Sequence, residues 1–267
     1  MSDTTAPLRG LPPFDLLATG GSLAARWVSL CDRLGVSRAS CFKAQRFLFE
    51  HYAEPLRRYH TMQHLEEMFS YFDEPGTAQL LANPDHVSLA IFYHDAIYDG
   101  VNTADENASA ACLLDFAREI GTESITTADA EEIARWGRLT ATHRVDATEC
   151  MDCKLFMDMD MAILGQPWAV YEDYYMRVKT EYEGLKKMPP VLWTALWSMG
   201  RPNAMASLLS GPPIYATDRF RARFESGARE NLAREMRVWW AVRRRVFAMV
   251  AAALLCVVGA GVAWWRG

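Results

Sequence analysis

The chain has 267 residues, enough to bury a sizeable core without disulfides or a structural metal. Hydrophobic residues make up 51% and charged residues 23%, and the formal net charge of -5 excludes the basic face of a nucleic-acid binder, so no nucleic-acid partner is expected. The six cysteines (Cys31, Cys41, Cys112, Cys150, Cys153 and Cys256) are scattered and no secretory leader is recognisable, a pattern that predicts reduced thiols in the cytoplasm.

In chain order, residues 1–20 carry Pro7, Gly10, Pro12, Pro13 and Gly20 and are expected to form a flexible N-terminal arm ahead of a helical domain over 21–240. Gly20-Gly21-Ser22 lacks the Lys-Ser/Thr of a phosphate-binding loop and reads as a turn and helix cap. Trp27, Leu30 and Leu34, then Phe42, Phe47, Leu48 and Tyr52, recur at helical spacing until Pro55 breaks the run. His60 and His64 follow, four apart, which on one helix sets both imidazoles on one face. Leu89, Phe92 and Tyr93 place the pair His94-Asp95 at the end of an apolar helix. Gly100 and Asn102 mark a turn, and a further helix starts at 106–111, capped near Thr103 or Asp105. Helical patterns continue over 129–142, 148–163, 167–187, 189–200 and 217–245, and no alternating β-branched run is long enough for a sheet, so the fold class is all-α.

The tail differs in kind. Residues 246–265 carry no charge, follow Arg243-Arg244-Arg245 and end on Trp264-Trp265. As a helix rising ~1.5 Å per residue they would span about 30 Å, the thickness of a bilayer core. A single-pass transmembrane anchor is expected, with the basic collar holding the preceding domain on the cytoplasmic side of the cell membrane.

Three motifs carry the chemistry: His60 with His64, His94 with Asp95, and Asp158-Met159-Asp160. They hold three of the six histidines and offer N and O donors suited to a divalent metal ion. Asp160 lies among apolar neighbours, where a carboxylate needs a cation or hydrogen-bond donors. Several residues have two readings. His143 either reaches the site as an extra ligand or phosphate contact, or ends a helix at its negative pole. Glu106 either supports a ligand or is a first-turn acid favoured by the helix dipole. Arg57 and Arg58 either bind substrate phosphate or are solvated, and Arg58 is the stronger candidate. Asp99 and Asp158 are candidates to support the site. His86 is expected on the surface, Tyr171, Tyr174, Tyr175 and Tyr182 in the core, and the lone Cys150-Met151-Asp152-Cys153 as ordinary thiols.

The order His64, His94-Asp95, Asp160 resembles the HD superfamily of metal-dependent phosphohydrolases. Arg58-Tyr59-His60-(x3)-His64-Leu65, Tyr93-His94-Asp95-(x2)-Tyr98-Asp99, Glu106-(x2)-Ser109-Ala110, Asp158-(x)-Asp160-(x3)-Leu164-Gly165, Arg177-(x3)-Glu181-Tyr182 and Ile214-Tyr215-(x)-Thr217 are similar to a bacterial branch of predicted HD phosphohydrolases, over roughly residues 20 to 238. The Tyr-His-x3-His element also resembles cyclic nucleotide phosphodiesterases, with Thr61 where both groups commonly have Asn. The resemblance implies an HD-domain helical bundle in which His64, His94, Asp95 and Asp160 hold one divalent metal (Mn, Fe, Co, Ni, Zn or Mg) and His60 is the general acid. The implied reaction is hydrolysis of a phosphoester, a nucleotide or other small phosphorylated metabolite, by a metal-activated water. Two rivals stand beside it: an HD-fold di-iron oxygenase, for which the single histidine between Asp95 and Asp160 is too few, and a membrane-tethered nucleotide-binding or sensing protein without turnover.

Overall fold

The computed structural model describes residues 16–99, 104–121 and 123–266, with side chains described for those within 22–250. Every regular element among them is helical, as the periodicity predicts: α1 (Leu16–Arg33), α2 (Arg38–Tyr52), α3 (Met62–Phe72), α4 (Pro75–Ala78), α5 (Pro84–Tyr93), α6 (Asp105–Ile120), α7 (Thr127–Leu139), α8 (Met151–Met161), a 3₁₀ turn (Ala162–Gly165), α9 (Trp168–Lys186), α10 (Pro190–Ser210) and α11 (Asp218–Arg266). Of the expected N-terminal arm, residues 1–15 lie outside the described residues and the last five positions belong to α1. The chain forms two compact units, one through Met159 and one from Asp160, divided within α8.

In the first unit α5 is the central element. From His86 to Tyr93 every residue is buried, the mark of a helix packed on all sides, and so its apolar residues show no one-sided stripe. Trp27 of α1 is fully buried against it, with Phe92 edge-on at 5.1 Å between ring centroids and Phe116 of α6 at 5.5 Å. Such pairs add about 0.5–1.5 kcal/mol each beyond the area they bury. The Trp27 indole donates to Cys41 O (3.0 Å) and the Tyr52 hydroxyl to Phe92 O (3.1 Å), joining α2 to both. At the other end of α5, both oxygens of the buried Asp152 accept from the backbone N–H groups of Ala82 and Asn83 (2.8 and 2.7 Å), which ties the first turn of α8 to the chain entering α5. His86 is buried here too, contrary to expectation, with its Nε2 3.1 Å from Asn83 Nδ2. Cys150 is exposed, Cys153 is buried, and both are free thiols.

In the second unit the 3₁₀ turn is pressed against α11. A Cβ on Gly165 would lie 2.5 Å from Phe224 Cβ, and one on Gly227 would lie 2.9 Å from Gly165 O, so both positions require glycine. Asn231 donates to Leu164 O (2.8 Å) and Gln166 O (2.7 Å), and the buried Tyr215 hydroxyl donates to Met161 O (3.0 Å). Between α9, α10 and α11 sits a buried charge, Glu235. It accepts from the Tyr171 hydroxyl, from Arg201 Nε (2.9 Å) and from the Trp239 indole (3.0 Å). Helix α10 runs ten residues past its predicted end at 200 and carries Pro202 inside it. The missing N–H disfavours that continuation locally, but Pro202 is buried between Trp197 and Met205, also buried, and packing prevails.

Helix α11 continues to Arg266 and so includes the expected anchor at 246–265. Among the described residues no helix is long and apolar enough to cross a membrane; the side chains of 251–265 lie outside that description.

Candidate metal centre

His94 caps the C-terminus of α5, where the helix dipole favours positive charge. Its Nδ1 lies 3.0 Å from Ile91 O, and since a carbonyl only accepts, that contact places a proton on Nδ1. The other nitrogen, Nε2, is 3.2 Å from His64 Nε2 and 3.1 Å from Asp95 Oδ2. Three electron-rich atoms thus converge, an arrangement made favourable by a proton or a cation among them. Phe156 of α8 packs edge-on against the His94 ring at 5.7 Å. One turn beyond Phe156 along α8 comes Asp160, and the ligand atoms of His64, His94 and Asp160 all lie within 4.8 Å of one another. Both histidines are buried and Asp160 is half-buried. Donors held ~2.1 Å from one ion at right to tetrahedral angles sit roughly 3.0–3.4 Å apart, so the spacing of the two imidazoles fits a first-row cation.

His60 departs from expectation. It does not share a helical face with His64, because α3 begins only at Met62: the Thr61 hydroxyl caps that helix by accepting from Gln63 N (3.3 Å). Thr61 therefore has a local role at the position where the resembling families carry Asn. His60, on the preceding turn, stacks on Tyr98 at 4.2 Å, with its ring 6.0 Å from that of His64 and its Nε2 4.0 Å from Asp95 Oδ2. Burial opposes charge on Asp95, yet the neighbouring His94, His60 and His64 hold its carboxyl well below the usual aspartate range. Asp95 thus faces both the proposed acid and a ligand of the trio.

Arg57 is a strut rather than a phosphate contact. Its buried guanidinium donates to Asp95 O (2.7 Å), Ala96 O (3.0 Å), His60 O (3.2 Å) and Glu54 Oε2 (3.1 Å), and lies over the rings of Tyr52 and Tyr98. Three carbonyls of the two histidine segments are thereby fixed by one side chain, four of whose five N–H donors are engaged within the chain. Arg58 is exposed.

Asp158 is buried in α8 outside the trio, and Glu106 is half-buried in the first turn of α6. His143 lies in a left-handed turn after α7, with its N–H bonded to Leu139 O (2.9 Å), so it ends that helix and is not part of the trio. Asp99 is exposed, and its N–H donates to Asp105 Oδ2 (3.1 Å). Two residues beyond the candidate set brace the segment after His94-Asp95: Asp105, through that bond, and the fully buried Ser109, whose hydroxyl accepts from Ile97 N (3.0 Å) and donates to Ile97 O (3.1 Å). Their only sequence signal is the Glu106-(x2)-Ser109 motif. Tyr174, expected as plain core, has its hydroxyl pushed above the usual tyrosine range, chiefly by burial, with Glu235 and Asp160 adding and Arg201 opposing. Nothing in its helical spacing signals that electrostatic link to Asp160.

No protein-family model, curated protein or solved structure matches this chain.

Proposed function

We propose that this protein is a metal-dependent phosphohydrolase of the HD type, acting on a nucleotide or other small phosphorylated metabolite. The observation that carries this reading is the convergence of His64, His94 and Asp160 on one point, with the His94 proton directed away to Ile91 O. Asp95, against His94 Nε2, is a further ligand candidate. When bound, a divalent cation supplies Lewis acidity, polarising a phosphoryl oxygen and making water nucleophilic at neutral pH. The chain's own contribution is proton transfer and alignment. His60, with its Nε2 4.0 Å from the Asp95 carboxylate and its ring oriented by stacking on Tyr98, gives an Nε2 proton to the leaving oxygen. Arg57 holds the backbone beneath His60 and Asp95 in register.

The test is a phosphatase screen with mono-, di- and cyclic nucleotides in added Mn, Co, Ni or Mg, paired with elemental analysis. Asp160→Ala and His64→Ala should lose metal and activity together. His60→Ala should keep the metal and lower the rate roughly 10²- to 10⁴-fold, the worth of general acid catalysis. An Asp160→Ala protein with full metal content and activity would sink the assignment. Two imidazoles and one carboxylate also form the donor set of non-haem iron oxygenases, which favours a second reading. Bound iron with a redox-active spectrum, and no phosphoester turnover, would select it.

We further propose that residues 246–265 anchor the domain to the membrane, on the strength of their uncharged composition behind Arg243, Arg244 and Arg245. The full chain should resist carbonate extraction from membranes, and a chain ending at Arg245, which keeps the buried Trp239, should be released and active. Recovery of the intact chain as a soluble monomer would refute the anchor.

A further inference from the structure

Away from the metal centre, the first unit has a cavity of about 220 Å³ between α2 and α6, with Ala44, Phe47, Tyr93, Cys112, Phe116 and Glu119 among its lining. Tyr93 is 3% exposed, yet its hydroxyl has no hydrogen-bond partner among the described residues. Its oxygen is not sealed in the core but opens onto the cavity, where an acceptor from outside the chain can take its hydrogen bond.

The rest of the lining narrows what fits. Phe47 and Phe116 supply aromatic walls, and the Phe116 ring lies 5.6 Å from that of Tyr93 at 31°. Lys43 pairs with Glu119 (2.6 Å) and Asp115 with Arg118 (2.8 Å), so the charges at the cavity are balanced and its one basic lining residue is already engaged, which leaves a neutral molecule as the better fit. A dry cavity of about 150 Å³ takes one benzene ring, whereas drug-sized ligands need ~300 Å³ or more. Burial raises the Cys112 thiol above the usual cysteine range, so it is a soft wall rather than a nucleophile.

We propose that this cavity binds a neutral, single-ring aromatic molecule with one hydrogen-bond acceptor, which takes the Tyr93 hydroxyl proton as its partner. The site is independent of the phosphohydrolase reading, and its test requires no turnover. The full chain is titrated with 4-fluoroacetophenone, followed by ¹⁹F NMR, with acetophenone, ethylbenzene and benzoate as competitors. Acetophenone should displace the probe saturably and benzoate should not. Tyr93→Phe should weaken acetophenone roughly 3- to 10-fold, the worth of one neutral hydrogen bond, and leave ethylbenzene unchanged. Cys112→Phe, which fills the cavity, should abolish binding of both; Ala44→Met serves the same purpose if that protein does not fold. Probe binding that never saturates, that survives filling, or that responds to Tyr93→Phe equally for both competitors would overturn the assignment.

Discussion

Replacing Gly165 with alanine places a methyl group where an ideal Cβ lies 2.5 Å from Phe224 Cβ, 2.7 Å from its carbonyl oxygen and 2.9 Å from its Cα. Carbon atoms in good contact stay about 3.5–4.0 Å apart, so the turn and α11 must separate by roughly 1 Å. Two of the three obstructing atoms are backbone, and no rotamer change relieves them. Overpacking of this kind costs about 1–3 kcal/mol, and the backbone clash puts Gly165→Ala at the upper end. For a protein of this size each kcal/mol moves Tm by roughly 2–4 °C, which gives a fall of about 5–10 °C. The displacement also strains the paired bonds of Asn231 to Leu164 O and Gln166 O, four and six residues from Asp160, so metal content should fall as well. Thermal unfolding followed by far-UV circular dichroism, with elemental analysis of the same samples, measures both. Gly200→Ala is the control: its Cβ meets nothing within 4 Å inside α10, and a gain of about 0.4–1 kcal/mol is expected. If Gly165→Ala melts with the wild type, or rises alongside Gly200→Ala, the close approach of the turn to α11 is wrong.

Arg57→Ala should cost roughly 2–3 kcal/mol in urea unfolding, because it orphans the buried Ala96 carbonyl, at about 1–3 kcal/mol, and takes a donor from the part-buried His60 and Asp95 carbonyls; a loss under 1 kcal/mol would contradict the strut role. Arg201→Met leaves the Glu235 carboxylate buried beside only neutral donors and should cost about 3–5 kcal/mol, with much of the loss recovered in Arg201→Met/Glu235→Leu. Failure of the double variant to recover would show that Glu235 is tolerated without its guanidinium. Glu149 accepts two bonds from Arg135 (2.6 and 2.8 Å), chiefly for which its folded-state pKa lies below the ordinary glutamate value. A lowered carboxylate pKa stabilises the fold above the unfolded value and ceases to do so as pH falls through the folded one. Glu149→Gln should therefore be less stable than wild type at pH 7, by roughly 0.2–1 kcal/mol at this partly exposed pair, and equal to it once Glu149 of the wild type is protonated in the folded and the unfolded state alike. Denaturant curves at pH 7 and pH 3 check the convergence.

Helical periodicity reports which face of a segment is buried, and it placed α7, α8, α9 and the start of α11 within a few residues of their observed bounds. It also set His94-Asp95 at a helix end, since Leu89, Phe92 and Tyr93 sustain a helix that stops there. Periodicity carries no record of what a buried face packs against. The all-round burial of α5, and of His86 within it, became visible only once α3, α6 and α7, with Trp27 of α1 and Tyr52 of α2, packed around that helix. The turn carrying His60 followed from the Thr61 cap, a local signal that the four-residue spacing to His64 obscured. Arg57 was legible as a basic residue beside a motif but not as a strut, because its three carbonyl partners include two about 40 residues away. Longer separations still, of 70 and 67 positions, hid the roles of Asp152 and Asn231. Donor types at the metal centre were thus determined by local sequence, whereas their convergence was decided by long-range packing: His64 and Asp160 are 96 positions apart in the chain and within 4.8 Å at their ligand atoms.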